Sequence, residues 1–478
     1  MHPLLIVLVG VAFVLGGILV LRLHAFIALV LAALAVATLT PTGALRRYAQ
    51  ARVWEGEWSA SRAERFVSAA APERVAEAFG ATCGQLGILI AMAAVIGRCM
   101  LESGAADRIV RTALRWLGEA RAGLAFVASG FVLGIPVFFD TVFYLMIPLA
   151  KAVRVRTGAN YLLYVLTIVA GATMAHSLVP PTPGPLLVAE SLGIPLGTMI
   201  LVGCLIGLVS SSVGYGFACW LNRRFDVPLR ATDDVSLEAL QGWTSRDESQ
   251  LPPTWLSLLP ILLPVGLIAS QAVAGTFVED RGGPVAAWIR FFGNKNAALV
   301  LGAGIALFTL AWQKRAGPKQ LARSVESALA SGGVIVLITA AGGAFGSAIR
   351  QSGVAETMTG LAHELSPLWA LPVAFLITAL VRTAQGSATV AMITAVGLLQ
   401  PMADPAVINF HPVYLAMAIG CGSKPLSWMN DSGFWVICRM SGLRETEGLQ
   451  TITPMTAVMG VAGLVATVLA AWLVPLAR

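Results

Sequence analysis

The sequence is poor in charge. Only 12% of its 478 residues are Asp, Glu, Lys or Arg, whereas 57% are hydrophobic. A soluble globular protein carries roughly 25% charged and about 45–50% apolar residues, so this chain has too little polar surface for a water-soluble body. The scarcity excludes a soluble enzyme, a disordered chain and a nucleic-acid binder. The net charge of +7 is instead typical of basic cytoplasmic loops on a membrane protein.

Cysteine and histidine are also scarce, with six and five residues. No cysteines form a C-x-x-C pair and all lie in or beside apolar stretches, so we expect buried thiols without a metal site. The H-E-x-x-H, G-x-S-x-G, Walker and EF-hand patterns are missing. These absences disfavour an ATP-driven pump and leave a membrane-embedded enzyme as a remote alternative. No cofactor is expected beyond a coupling ion.

Long apolar runs fill most of the chain. At ~20 residues per span they allow about ten transmembrane helices, which predicts an all-α polytopic protein of the cell (inner) membrane, in contact with lipid. Residues 122–150 and 370–399 each split into two short limbs around a polar or kinked centre. Limbs this short cannot cross a ~30 Å hydrocarbon core and are typical of re-entrant hairpins. One long tilted helix is the alternative for each stretch.

The placement of basic residues predicts the topology. All but three of the 32 lysines and arginines fall in predicted loops. With Arg22 cytoplasmic and both stretches read as hairpins, the positive-inside rule places both termini outside. Arg98, Arg382 and Lys424 remain at membrane depth. The charge-balanced segment 41–77 is predicted as a surface loop, with an amphipathic surface helix as the alternative.

The two halves of the chain repeat each other. Residues 102–106 (ESGAA) echo 351–355 (QSGVA), and 140–147 (DTVFYLMI) align with 386–393 (GSATVAMI). Because the charges place the repeats in opposite orientations, they predict an inverted-repeat transporter with two re-entrant hairpins and two broken helices. The predicted organisation begins with a scaffold region with two spans at 1–77 and a first repeat at 78–221, which contains hairpin 122–150 and broken helix 161–190. A polar cytoplasmic linker at 222–254 and scaffold spans at 255–324 follow. The second repeat, at 325–478, contains hairpin 370–399 and broken helix 413–437.

Two polar, helix-breaking runs follow the hairpins. Residues 176–185 (HSLVPPTPGP) hold four prolines, which remove amide donors and disfavour helix at the preceding residues. Backbone freed in this way belongs in a cavity wall, although an external loop is the alternative. In the second run, 420–435, Lys424 and Asp431 lie deep in an apolar span, where a charge costs at least ~2.5–3.5 kcal/mol. They indicate a functional site, with a structural Lys424–Asp431 pair as the alternative.

Together the hairpin tips and broken helices predict an anion site. Half-helices that begin after each tip would direct their N-terminal dipoles at the cavity centre. Arg382 or Lys424 would meet a carboxylate, although a structural Arg382 is the alternative. The predicted substrate-binding residues are His176, Ser177, Thr182, Gly184, Arg382, Gln385, Gly386, Ser387, Thr389, Ser423, Lys424, Ser427, Asn430 and Ser432.

Asp140 is the first candidate for proton coupling. A carboxylate in apolar surroundings can bind and release a proton near neutral pH. Thr141, Asp431 and His176 complete the predicted coupling group, with a buried structural histidine as the alternative for His176. No metal site is predicted.

Three motifs carry a family resemblance: 138–148 (FFDTVFYLMIP), 176–185 and 430–435 (NDSGFW). In this order and spacing the chain resembles the gluconate permease (GntP) family of proton symporters, within the ion transporter superfamily, from about residue 72 onward. The resemblance implies a homodimer whose transport domain moves like an elevator against a scaffold domain. In sodium-coupled relatives, hairpin-tip Asn-Thr positions build cation sites, and here they match Asp140-Thr141 and Gly386-Ser387.

These observations predict a secondary active transporter, not an enzyme. It would import a small organic anion, gluconate or a related sugar acid or hydroxy acid, by proton symport. A sodium-coupled transporter of the same fold, for a carboxylate or a small amino acid such as D-serine, stays open as the alternative.

Overall fold

The structure is a computed structural model that describes residues 3–54, 56–230, 250–277, 288, 291–353, 367–403, 408–428 and 431–476. Helices are the only regular elements in these ranges. The α-helices are α1 (Pro3–Leu15), α2 (Ala25–Leu39), α3 (Thr42–Trp54), α4 (Ala60–Ser68), α5 (Ala71–Ser103), α6 (Ala105–Leu117), α7 (Ala122–Gly134), α8 (Phe139–Thr157), α9 (Tyr161–Leu178), α10 (Pro183–Ser191), α11 (Leu196–Arg224), α12 (Thr254–Phe277), α13 (Lys295–Lys314), α14 (Pro318–Gln351), α15 (Ala370–Gln385), α16 (Ala388–Leu399), α17 (Val413–Gly422), α18 (Ser432–Ser441) and α19 (Glu445–Leu473).

Several helical segments are long and apolar enough to cross a membrane. Within the described ranges there are six, or up to eight if two pairs bent by 99° and 109° each count as one span. The six are Ala71–Ser103, Tyr161–Ser191, Leu196–Arg224, Lys295–Lys314, Pro318–Gln351 and Glu445–Leu473. The chain is therefore an integral membrane protein, and the count of about ten crossings stays a prediction.

The segment 41–77 is helical and not a loop. It forms α3, α4 and the first turns of α5. A small aromatic core holds α3 and α4 together, with ring centroids of Tyr48 and Trp58 5.9 Å apart and those of Trp58 and Phe66 5.0 Å apart. The expected boundaries at 77/78 and 324/325 fall inside the continuous helices α5 and α14, so neither marks a break in the chain.

Four interruptions divide the predicted hairpins and broken helices. They lie at residues 135–138, 179–182 and 386–387 and between Gly422 and Ser432, close to the polar or proline-rich centres identified from the sequence. Two outer ends differ from expectation, since α8 continues to Thr157 and α18 to Ser441. The linker residues 231–249 lie outside the described ranges.

The two broken helices occupy the centre of the molecule. Nearly every side chain of α9 is buried, and so is every residue of α17. Glycines allow close contact: a Cβ at Gly420 would lie 2.8 Å from the Ser177 carbonyl oxygen, and one at Gly422 would lie 2.5 Å from that of Phe375. Helix α17 therefore contacts both α9 and α15, which brings the interruptions together.

Candidate functional site

A cavity of about 340 Å³ lies where the interruptions meet. This volume falls within the range of about 300–1,000 Å³ that is usual for small-molecule sites. The structure brings ten predicted residues to its wall: Asp140, Thr141, His176, Arg382, Ser387, Thr389, Ser423, Lys424, Ser427 and Asp431. These residues come from both halves of the sequence, so the two halves build one site.

Arg382 and Asp431 form a buried ion pair across this cavity. Arg382 Nη2 donates to Asp431 Oδ2 at 2.5 Å, and the side chains are only 5% and 12% exposed. Arg382 also donates through Nε to the Ser423 carbonyl at 3.1 Å and through Nη1 to the Gly386 carbonyl. Gly386 lies between α15 and α16, whereas Ser423 and Asp431 lie between α17 and α18, so Arg382 connects the second hairpin to the second broken helix. The partner of Asp431 is therefore Arg382, not Lys424.

Asp431 also begins helix α18. Its Oδ1 accepts a hydrogen bond from the Gly433 amide at 2.9 Å, as an N-cap carboxylate does. Ser427 Oγ donates to its Oδ2. Both oxygens of the Asp431 carboxylate therefore accept hydrogen bonds, from three donors in all.

Lys424 is the less engaged cation. Its side chain is 5% exposed, and its Nζ donates to the Thr173 carbonyl at 3.0 Å, the one hydrogen bond it makes to the described residues. An ammonium group has three donors. Lys424 therefore has donors that can face a ligand in the cavity.

Asp140 is the less engaged acid. It lies in the first turn of α8, whose N-terminal dipole favours negative charge there. No hydrogen bond or ion pair joins its carboxylate to another residue in the described part of the chain. A proton or a ligand group can thus reach it without displacing a structural contact.

His176 lines the cavity, and one of its ring nitrogens has no hydrogen-bond partner among the described atoms. Its ring packs edge-on against Phe138, with centroids 6.1 Å apart. The imidazole is therefore held by packing, with Nδ1 buried and unpaired among the described atoms.

Some predicted residues lie away from the cavity wall. Thr182 Oγ1 donates to the carbonyls of His176 and Val179, at 2.7 and 2.9 Å, and so satisfies backbone groups freed by the prolines. Gly184 packs against Met392. Gly386, with φ +83°, ends α15 and accepts from Arg382.

Ser177 is buried, and its hydroxyl has no partner in the described part. Thr182 and Gly386 thus lie in the interruptions, Ser177 and Gly184 lie in the adjoining helices, and none of the four lines the cavity. Asn430 and the side chains of Gln385 and Ser432 lie outside the described residues.

Other lining residues were missed by the sequence reasoning. The aromatic pair Phe138–Phe139 immediately precedes Asp140 and could have been inferred from that neighbour. Thr173 and Thr456 lie in helices that read as plain apolar spans. Nothing in their sequence context distinguishes them, since only the packing turns them toward the cavity.

Interrupted helices that enclose a polar cavity, as in the described part of this chain, are typical of secondary transporters. The family description "GntP family permease" matches residues 69–473. The chain belongs to this family of permeases, which transport small molecules and are not enzymes.

Curated relatives cover most of the chain. The gluconate permease of Pseudomonas aeruginosa is 33% identical over 81% of this chain and 85% of its own. The low-affinity gluconate transporter of Escherichia coli K12 is 31% identical over 82% and 86%. The Gnt-II system L-idonate transporter of the same organism is 30% identical over 97% of both chains.

Solved transporters share the fold at low identity. The Alcanivorax borkumensis YdaH transporter aligns with TM-score 0.61 and 14% identity, covering 86% of this chain and 91% of its own. MtrF of Neisseria gonorrhoeae aligns with TM-score 0.61 and 14% identity over 83% of both chains. At this identity the likeness concerns the fold alone.

Proposed function

We propose that the protein imports a sugar acid of the gluconate type together with a proton. The observation that carries this proposal is the division of charge in the cavity. Arg382 and Asp431 neutralise each other at 2.5 Å, which leaves Lys424 as the unpaired cation and Asp140 as the unpaired acid in the described part. When Asp140 is protonated, the cavity is cationic and suits a monoanionic carboxylate.

Each group then has a role in this proposal. Lys424 Nζ binds the substrate carboxylate through a charge-assisted hydrogen bond, a stronger contact than one between neutral groups. The hydroxyls of Ser387, Thr389 and Ser427 contact the substrate hydroxyls, and Arg382 holds the site in shape. His176 and Thr141 lie beside this group on the cavity wall. Asn430, Gln385 and Ser432 stay predictions.

The relatives support a sugar acid as the substrate class. Two of them are named for gluconate and one for L-idonate, and both compounds are six-carbon polyhydroxy acids with one carboxylate. A cavity of about 340 Å³ lined by several hydroxyl groups is suited to a ligand of this size and polarity.

The larger motions follow the same proposal. The pairs α7–α8 and α15–α16 would act as re-entrant hairpins of an inverted repeat and move with the broken helices as an elevator domain. The remaining spans would form the scaffold of a homodimer in the inner membrane. The charge distribution supports an orientation with both chain termini outside.

Uptake by purified protein in vesicles tests the coupling ion. Radiolabelled gluconate is expected to accumulate when a pH gradient, acidic outside, is imposed without sodium. Asp140→Asn should abolish this accumulation but retain exchange of internal for external gluconate. Accumulation by Asp140→Asn at the wild-type level would reject Asp140 as the coupling residue. Dependence of the wild type on sodium would favour the sodium-coupled alternative.

A further inference from the structure

A second and larger cavity lies at the other end of helix α16. Its volume is about 990 Å³, and its wall is built by α3, α5, α10, α14 and α16. The first turn of α16, at Thr389, lines the central cavity, whereas its last turn, at Gly397, lines this second one. At 1.5 Å per residue the two positions are about 12 Å apart along the helix. We call the second cavity the arginine vestibule.

The arginine vestibule carries an excess of positive charge. Three arginines line it, Arg47, Arg52 and Arg350, together with two acids, Glu57 and Glu190. Both acids are already paired, Glu57 with Arg52 at 2.8 Å and Glu190 with a lysine of α13 at 2.6 Å. The described residues of the lining therefore carry more positive than negative charge.

Arg350 has a buried N–H group without a hydrogen-bond partner among the described residues, which indicates a ligand. Its Nη1 donates to Gln400 Oε1 and its side chain also contacts Tyr48. Its Nε is buried and has no hydrogen-bond partner in the described part. Buried guanidinium donors are rarely left unused, so such a group calls for an anion or an ordered water. A carboxylate would satisfy it through the geometry that arginine recognises best.

Close helix packing separates the vestibule from the central cavity. A Cβ at Gly342 would overlap Ile393, and one at Gly346 would lie 3.1 Å from Gly397 Cα. Helices α14 and α16 are thus in direct contact between the two spaces. The vestibule and the central cavity are therefore two separate spaces, with the contact between these two helices at the vestibule wall.

We propose that the arginine vestibule binds the carboxylate of the substrate before it reaches the central cavity. This proposal rests on the function proposed above and adds a second anion site on the face that the topology places outside. A cleft of one charge concentrates oppositely charged ligands, and its effect weakens as salt rises. The Debye length is about 30 Å at 0.01 M and about 10 Å at 0.1 M, so the vestibule should attract an anion in solution from further away at the lower salt concentration.

Neighbouring arginines provide a matched test. Arg47 and Arg46 are both exposed on α3, but only Arg47 lines the vestibule. Arg47→Gln should raise the KM for gluconate uptake at least threefold at about 0.01 M ionic strength, with kcat unchanged, and the rise should shrink at about 0.1 M. Arg46→Gln, with the same loss of charge outside the lining, should raise KM by clearly less than Arg47→Gln, because it removes only the long-range attraction and no contact in the vestibule. Arg350→Gln should raise KM further.

Vesicle composition separates a soluble anion from a lipid headgroup, since both present anionic oxygens. The KM difference is expected in vesicles of phosphatidylcholine alone. A difference seen only when phosphatidylglycerol is present would overturn the proposal in favour of a headgroup site. Equal KM values for Arg47→Gln and Arg46→Gln, in a wild type that accumulates gluconate, would also overturn it. Failure of the wild type to accumulate gluconate would instead reject the proposed function.

Discussion

Replacement of Arg382 by Gln is expected to destabilise the protein strongly. The guanidinium is 5% exposed and holds Asp431 at 2.5 Å, and it also binds the carbonyls of Ser423 and Gly386. A glutamine cannot neutralise Asp431, so the carboxylate would stay buried without a counter-charge. Breaking a buried ion pair from one side typically costs about 3–5 kcal/mol, because the remaining charge is uncompensated.

The cost should be largely recovered when both charges are removed. The asparagine of Asp431→Asn keeps a side-chain oxygen that can accept the hydrogen bond from the Gly433 amide. In the double variant no buried anion remains beside the introduced glutamine. Residues in direct contact show coupling energies of about 0.5–3 kcal/mol in such cycles. The double variant Arg382→Gln/Asp431→Asn is therefore expected to be more stable than Arg382→Gln alone.

Unfolding can be followed through the chain's own thiols. Cys99, Cys421 and Cys438 are buried and free, so a thiol-reactive fluorescent dye reports the thermal midpoint in detergent.

An exposed pair serves as the control. The sequence predicts Arg98 at membrane depth, but in the structure it lines an open polar cavity with Lys314 and Arg323, two residues of a predicted loop. Arg98 also lies 2.5 Å from its partner, Glu102, but with side chains 45% and 25% exposed. Arg98→Gln should lower stability by less than about 1 kcal/mol, since solvent screens exposed pairs.

The Arg382–Asp431 and Arg98–Glu102 pairs have the same separation of 2.5 Å and differ in burial, so a difference in stability between the two variants reports the effect of burial. Equal midpoints for Arg382→Gln and Arg98→Gln would refute the claim that burial makes the first pair structural. Additive losses in the double variant would refute an energetic coupling between Arg382 and Asp431. A stable Arg382→Gln variant that fails only in substrate binding would return Arg382 to the role of a carboxylate ligand.

Two further predictions concern the ligand cation and the close helix crossing. Lys424→Gln removes a charge-assisted hydrogen bond worth about 1.5–3 kcal/mol, so the KM for gluconate should rise roughly 10- to 100-fold in the vesicle assay; an unchanged KM would contradict the assigned role. A Cβ at Gly171 would overlap the Val127 carbonyl of α7, whereas Gly216 has open space around it. Gly171→Ala should lower the thermal midpoint through overpacking of about 1–3 kcal/mol, and equal midpoints for Gly171→Ala and Gly216→Ala would contradict it.

The positions of the helix breaks could be predicted because they depend on local chemistry. Pro180, Pro181 and Gly386 impose backbone conformations that an α-helix cannot continue, and the chain is interrupted at these residues. The outer ends could not be placed in this way, since α8 ends at Thr157 and α18 at Ser441, beyond the apolar runs. Gly158 and Gly442 cap these two helices in the left-handed conformation. Hydropathy marks where lipid contact stops, but a glycine in the left-handed conformation marks where the helix stops.

The pairing of charges could not be predicted either. The sequence places Lys424 seven residues before Asp431, which suggested a local pair, whereas Arg382 is the actual partner of Asp431 from another helix. Such a contact depends on how α15 packs against α17, and that packing relies on the bare backbone at Gly422. Similarly, the aromatic cluster that orders α3 and α4 joins residues that show no common periodicity.

The two acids of the cavity are unequal, and this inequality explains how coupling can arise. A proton on Asp431 would displace Arg382 or Ser427, but one on Asp140 displaces no hydrogen bond within the described part. In the proposed assignment the empty site has no net charge, because ionised Asp140 balances Lys424. The loaded site has no net charge either, because Asp140 is then protonated and the bound monoanion balances Lys424. A proton alone or an anion alone leaves a net charge, which is costly to carry through the bilayer core. Under the proposed symport only the empty and the doubly loaded sites would cross easily, and that restriction would tie each anion to one proton.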